Sequence, residues 1–133
     1  MVERYLSDNF APVSREVTET DLPVIGELPR ELCGRYLRNG PNPIGDVDTA
    51  THHWFIGAGM VHGVRLDEGR AAWYRNRWVR SPEVVAALGE APGERPLAGA
   101  NNTHVIGHAG RTWALVEAGT SSTRSGSTRS SAH

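Results

Sequence analysis

The sequence predicts an all-β protein that carries one short helix near residues 82–88. After Gly34 the chain breaks into short runs of aromatic and β-branched residues bounded by glycine, asparagine and aspartate, a pattern typical of strands joined by tight turns. Two pairs of these runs are spaced as hairpins. We therefore divide the chain into an extended lead-in over residues 1–33, a strand-rich part over 34–119 and a Ser/Thr/Arg tail over 120–133.

The lead-in is punctuated by proline. Pro12, Pro23 and Pro29 each remove a backbone donor and push the preceding residue away from the helical region. We expect an extended segment that contributes little to a core.

The first hairpin is predicted from Met60–Leu66 and Arg70–Val79, which flank a three-residue loop, Asp67-Glu68-Gly69. The second is predicted from Thr103–Ile106 and Arg111–Glu117, which flank a loop over residues 107–110. Two consecutive hairpins give the four antiparallel strands of one propeller blade, although a barrel or a sandwich could use them equally. Periodicity leaves these three architectures open.

A short helix is predicted between the hairpins. Ser81 is placed as its N-cap, Pro82 and Glu83 suit its first turn, and Gly89 is placed to end it. The tail after residue 119 has almost no apolar side chain to bury, so we expect residues 120–133 to be disordered.

Composition excludes several classes of function. The formal net charge is −1, from 14 basic and 15 acidic residues, so no excess positive charge favours nucleic acid. Cys33 is the only cysteine, which rules out an internal disulfide and a cysteine-based metal cluster and fits a reducing cytoplasm. The charged opening of the sequence lacks the apolar core of a secretory signal, and we expect a soluble, cytoplasmic protein.

Three groups of residues are candidates for chemistry. The histidines at 52, 53, 62, 104 and 108 lack a converging i, i+4 or His-x-His spacing, so hydrogen-bonded strand and turn histidines are favoured over metal ligands. The run Phe55–Met60 contains Gly57 and Gly59 but no third glycine and no following helix, which disfavours a nucleotide loop. Arg75, Arg77 and Arg80 around Trp78 are expected to form a solvated face.

Several strings resemble a known family. GELPRELCGRYLRNGPNP, residues 26–43, resembles the opening signature of carotenoid cleavage oxygenases, the family of retinal pigment epithelial membrane protein and lignostilbene dioxygenase. HHWFIGAGMVHGVRL, residues 52–66, is similar to the family segment H-W-F-D-G-D-G-M-x-H, with Ile56 and Ala58 in place of two aspartates. RAAWYRNRWVRS and NNTHVIGHAGRTWALVEAG continue the match in register, so the resemblance covers about residues 9–119.

The resemblance implies a lead-in and about one blade from the N-terminal portion of a seven-bladed β-propeller. In full-length relatives it implies Fe(II) held by four histidines and oxidative cleavage of a conjugated C=C bond in an apolar polyene or stilbene-like substrate. Those histidines all match positions beyond this chain, and His133 lies in a tract without a family motif. We therefore expect that this chain, as an N-terminal fragment, binds no iron and is inactive. The resemblance allows peripheral membrane contact, but no feature of this sequence supports it.

Glu117 is the one residue of the metal centre that the resemblance implies. It resembles the first of three glutamates that accept a hydrogen bond from a ligand histidine and so fix its tautomer and orientation. From the residues alone, Glu117 is better explained as a strand end that has reached solvent.

Two other functions stay open at this point. One is a non-catalytic propeller fragment whose exposed blade edges pair with other chains. The other is a small cupin-like metal barrel that uses His52, His53, Glu68 and His104, although cupins need histidines one residue apart. The abrupt change after Gly119, in a chain whose basic residues are all arginine, also suggests a reading-frame shift in a GC-rich gene.

Overall fold

The computed structural model describes residues 5–94, 99–117 and 122–124. The described part is built from strands and contains one α-helix, as the sequence predicts. The elements are a 3₁₀ turn (Asp8–Phe10), β1 (Thr18–Leu22), β2 (Gly34–Asn42), β3 (Ala58–Asp67), β4 (Arg70–Trp78), α1 (Pro82–Ala87), β5 (His104–His108), β6 (Arg111–Leu115) and β7 (Ser122–Arg124).

The larger sheet has four antiparallel strands in the order β1-β4-β3-β2. Its central hairpin is the predicted one, but its loop is shorter because Asp67 pairs with Arg70. The two loop residues, Glu68 and Gly69, have φ angles of 45° and 83°. Positive φ at both positions is the type I′ geometry that follows the right-handed twist of the strands, so a two-residue loop replaces the predicted three-residue one.

The second hairpin forms the smaller sheet, of order β5-β6-β7, and turns at Ala109 and Gly110 with φ angles of 49° and 72°. The two predicted hairpins therefore lie in different sheets rather than in one. The first hairpin takes its outer partners from β1 and from β2, which sequence reasoning did not assign as strands. β2 contains Gly40 and Pro41 and so resembles a turn, but proline is tolerated there because β2 pairs on one side only.

Helix α1 forms as its sequence predicts. The Ser81 hydroxyl accepts a hydrogen bond from the backbone N–H of Val84 at 3.4 Å, and Pro82 opens the helix where no backbone donor is needed. Gly89, with a φ of 67°, donates its N–H to the carbonyl of Ala86 and ends the helix.

The core lies between α1 and one end of the larger sheet. Ala58, Met60, Trp78 and Val84 are buried together there. Val13, from the lead-in, packs against this cluster as a partly buried side chain, but none of residues 5–33 is itself buried, so the expectation that the lead-in contributes little to a core is confirmed. The indole N–H of Trp78 donates to the carbonyl of Asn42 at 3.1 Å, which satisfies the one polar atom of that side chain.

We call residues 11–22 the strap, because they run from the end of β2 to the outer edge of β4, where they form β1. Two asparagine side chains in the sheet hold the strap by pairing with its backbone. Asn42 accepts from the N–H of Val13 at 2.8 Å and donates to its carbonyl at 2.9 Å. Asn76 accepts from the N–H of Val17 at 2.5 Å and donates to the carbonyl of Arg15 at 3.1 Å.

Most of the predicted disordered tail, residues 120–133, lies outside the described residues, although three of its residues form β7. The boundaries proposed at residues 33/34 and 119/120 stay predictions. In the described part of the chain, no helix has the length and apolar character that crossing a membrane requires.

Candidate functional site

The two sheets meet where β3 begins. The backbone N–H of Gly59 donates to the carbonyl of Ala100 at 2.8 Å. A Cβ at position 59 would lie 2.3 Å from the carbonyl oxygen of Asn101, so only glycine fits. The glycines that superficially suggested a nucleotide loop therefore serve a close backbone approach.

Asparagine side chains fix this junction. Asn39 donates from Nδ2 to the carbonyls of Asn101 and His104, at 2.7 and 3.0 Å. Asn102 donates from Nδ2 to the carbonyl of Gly57 at 2.8 Å. These bonds join β2 and the start of β3 to the segment that enters β5, and so they set the second hairpin against the first sheet.

Glu117 follows the end of that hairpin, two positions after Leu115. The strand is held up to this point, since His104 pairs with Leu115 and the N–H of Thr103 donates to the Leu115 carbonyl at 3.0 Å. The side chain is exposed. It makes no hydrogen bond or ion pair with another of the described residues.

The five histidines are spread over the described structure. His52 is half-buried and His53 exposed, both in the loop before β3, while His104 and His108 are exposed at the two ends of β5. No three His, Cys, Asp or Glu side chains in the described ranges are close enough together to hold a metal ion. The set required by the cupin alternative, His52, His53, Glu68 and His104, is therefore not brought together.

His62 is the histidine with the most distinct environment. It lies in β3, half-buried, with Nδ1 2.8 Å from the hydroxyl oxygen of Tyr74 on β4. Burial, together with the positive charge of Arg38, lowers the pKa of His62 below its ordinary value of 6.5. The ring is thus held neutral and serves as a cross-strand hydrogen-bonding partner.

The three arginines near Trp78 do not form the solvated face that was expected. Only Arg75 is exposed, and its guanidinium lies 4.6 Å from the centre of the Trp73 ring. Arg77 donates to the carbonyl of Val17 at 2.7 Å. Arg80 forms ion pairs with Glu16 and Glu90, so two of the three cations hold the strap and the end of α1.

An exposed aromatic cluster lies beside the loop before β3, and sequence reasoning missed it. The Phe10 ring packs edge-on against Trp54 with centroids 4.2 Å apart. Phe55 is 74% exposed and Ile56 is 57% exposed. The run His53-Trp54-Phe55-Ile56 was the available signal, because four such residues in a row at a turn leave apolar surface in solvent. We call Phe10, Trp54, Phe55 and Ile56 the aromatic surface.

Known proteins resemble this chain over most of its length. The family profile described as retinal pigment epithelial membrane protein matches residues 10–123. A carotenoid cleavage oxygenase of Mycobacterium tuberculosis is 62% identical over 121 residues, which are 86% of this chain and 24% of that protein. Carotenoid 9,10(9',10')-cleavage dioxygenase 1 of Arabidopsis thaliana is 50% identical over 81 residues, which are 60% of this chain and 15% of that protein. The chain thus spans about a quarter or less of these curated relatives.

Solved structures share the fold. The cobalt-substituted apocarotenoid oxygenase of Synechocystis has a TM-score of 0.68 and 25% identity, covering 84% of this chain and 27% of that one. The lignostilbene dioxygenase of Pseudomonas brassicacearum has a TM-score of 0.69 over 86% of this chain and 26% of that one, and its 23% identity shows the fold alone. These structures are propellers, and the two sheets correspond to an N-terminal portion of them. The chain belongs to the carotenoid cleavage oxygenase family.

Proposed function

We propose that this chain supplies the N-terminal part of an Fe(II)-dependent dioxygenase that cleaves a conjugated C=C bond in an apolar polyene. The observation that carries the proposal is the 62% identity to a protein named carotenoid cleavage oxygenase. Because the chain spans 24% of that relative, the activity belongs to a longer polypeptide fold, of which these residues form the opening portion.

Glu117 is the proposed contribution of this chain to the iron site. The described residues offer no set of metal ligands, so they do not fit direct coordination. Glu117 does fit a supporting role, because its carboxylate is exposed, makes no hydrogen bond to another described residue and follows closely on a strand that the junction holds in place. There it would accept a hydrogen bond from the N–H of a ligand histidine and fix the orientation of that ring. Iron, when bound, supplies the oxygen chemistry of the reaction.

The aromatic surface is an argument for an apolar substrate. Its four side chains are each 41% or more exposed, and such a patch marks a surface that covers a ligand or another part of a fold. A polyene is flat and apolar, so aromatic rings offer it dispersion contact without a polar group to desolvate. We propose that in the complete fold this surface faces the substrate.

A chimera tests the function. Residues 10–117 of this chain would replace the matching segment of the Mycobacterium tuberculosis relative, and carotenoid cleavage would be measured by product analysis. We expect cleavage by the chimera. If the chimera melts at the temperature of the parent and binds iron, yet leaves carotenoids intact where the parent cleaves them, the proposed function is wrong.

Two variants of the chimera test the proposed roles. Glu117→Gln should weaken iron binding about tenfold or more, as loss of such a partner typically does, while the matched Glu27→Gln variant should leave it unchanged. Phe55→Ala should raise KM without lowering iron content. Equal iron affinity in the Glu117→Gln and Glu27→Gln variants would show that Glu117 does not support the iron site.

We also propose a cytoplasmic location. The support is the cysteine content, since the single Cys33 is exposed and a free exposed thiol suits a reducing compartment. Fractionation of cells that express the tagged protein measures this, and recovery in a secreted fraction would contradict it.

A further inference from the structure

The strap is held by contacts that another copy of the same segment could make equally well. Besides the two asparagine pairs, Arg77 donates to the carbonyl of Val17 and to the hydroxyl of Thr18, both at 2.7 Å. The N–H of Trp78 donates to the Glu16 carboxylate at 2.9 Å. These are mostly bonds to backbone atoms, the kind by which a strand is added to the edge of a sheet.

The segment that joins the strap to β2 makes few contacts with the sheet, of which the main one places the Leu28 carbonyl and Arg30 beside Gly69 in the turn between β3 and β4. In residues 23–33 every residue except Leu28 is exposed, and Ile25 is 103% exposed. The hydrogen bonds described for this segment stay within it: Leu32 N–H to Pro29, Cys33 N–H to Glu31 and Cys33 Sγ to Arg30. Fully extended, such a segment spans about 35 Å, which is enough to reach a second molecule.

The backbone of β4 has the strap as its hydrogen-bonding partner along one edge. Without it, the backbone groups of Arg75, Asn76 and neighbouring residues would lose their β1 partners, and the side chains of Asn42 and Asn76 would lose theirs. A bare strand edge of this kind pairs with whatever strand is available. The strand that fits its register and its two asparagines best is the strap of a second copy.

We propose that two copies of this chain exchange straps, so that residues 11–22 of one copy pair with β4 of the other. Every contact in the exchanged form is one already present in the single chain, and only the path of residues 23–33 changes. The chain's own strap competes at an effective concentration of about millimolar, so exchange is favoured when unfolded chains refold together at high concentration.

Cysteine crosslinking between two tagged chains tests the exchange. Thr18 and Arg75 are paired in register, and opposed strand residues lie within disulfide range. One chain carries Thr18→Cys, the other carries Arg75→Cys, and both carry Cys33→Ser. The two chains are unfolded, mixed, refolded together and oxidised, and the crosslinked heterodimer is measured on a non-reducing gel. We expect a several-fold higher yield than for Thr18→Cys mixed with Arg111→Cys, an exposed position on β6.

Two controls make the outcome decisive. The pair that combines Thr18→Cys with Arg111→Cys sets the background of chance crosslinking, and the next variant sets the maximum. A single chain with Thr18→Cys and Arg75→Cys reports on the register itself. If that chain closes its disulfide fully while the mixed chains give no more heterodimer than the control, the strap stays on its own sheet and the proposal is overturned. If the single chain fails to form this disulfide, the pairing of Thr18 with Arg75 is wrong and the proposal fails with it.

Discussion

At the scale of single residues, the close approach at Gly59 predicts that a larger side chain there destabilises the fold. A methyl group at this position would lie 2.3 Å from the Asn101 carbonyl oxygen, and the backbone atoms there cannot move without breaking the junction between the sheets. We expect Gly59→Ala to lower the free energy of unfolding by about 1–3 kcal/mol. Urea denaturation followed by circular dichroism measures it.

Gly40→Ala is the matched control for Gly59→Ala. Gly40 lies in the neighbouring strand β2, and a Cβ added to it has no atom within 4 Å outside its own neighbours. Equal urea midpoints for the two variants would show that the close approach at Gly59 does not limit the fold.

The neutral state of His62 predicts a pH dependence at the same scale. Burial and Arg38 lower the pKa of His62 below 6.5 in the folded chain, so the unfolded chain binds more protons as the pH falls through that value. Stability should therefore decline as the pH drops from 6.5 toward the folded pKa. Titration of the His62 ring protons by NMR should give a midpoint below 6.5 that rises in Arg38→Met; a midpoint unchanged by that substitution would exclude the charge effect.

At the scale of secondary-structure elements, the strap depends on the charge of Glu16. Burial raises the pKa of this carboxyl, but the hydrogen bonds from Arg80 and the Trp78 N–H, with the charges of Arg80 and Arg77, outweigh it and lower the pKa below 4.5. The ionised form thus stabilises the fold at pH values above 4.5, and this stabilisation is lost as the pH falls through the folded pKa. Wild type should lose more stability on acidification than Glu16→Gln.

Glu27→Gln serves as the comparison for the strap. Glu27 is exposed in the segment that follows the strap, so its substitution should leave the acid dependence of the urea midpoint as in wild type. Parallel acid curves for wild type and Glu16→Gln would mean that the Glu16 contacts contribute nothing to stability.

Elements with strong local signals were predictable from the sequence, and those that depend on distant partners were not. Helix α1 carries its own cap and stop in Ser81, Pro82 and Gly89. The strand β2 is stabilised by pairing with β3, and its Gly-Pro sequence favours a turn when taken alone. β1 likewise forms because it pairs with the edge of β4, and no local pattern in the strap predicts that pairing.

At the scale of the whole molecule, we expect the purified chain to bind Fe(II) weakly. Tight binding needs several converging ligands, and the described residues bring no three together. Calorimetric titration with Fe(II) under anaerobic conditions measures this, with the full-length Mycobacterium tuberculosis relative as the positive control. Stoichiometric, tight iron in this chain would contradict the assignment of the ligands to other parts of the fold.

The candidate site could be predicted only through the family resemblance. From the residues alone Glu117 is a solvated strand end, and its side chain is exposed in the structure, so only the resemblance suggests a binding partner for it. The aromatic surface escaped prediction for a related reason. Its side chains stay exposed even though Phe10 packs against Trp54, and their proposed role depends on the complete propeller, of which this chain spans about a quarter.

Trp78 gives the molecule an optical reporter. It is 3% exposed, whereas Trp54 is 47% exposed and Trp73 and Trp113 are half-buried, so it should emit at the shortest wavelength of the four and resist soluble quenchers. Its backbone N–H donates to Glu16 in the strap, and its indole N–H to Asn42 beneath it. In a variant that retains Trp78 as its only tryptophan, a red shift in fluorescence would therefore time the departure of the strap directly, with no attached dye.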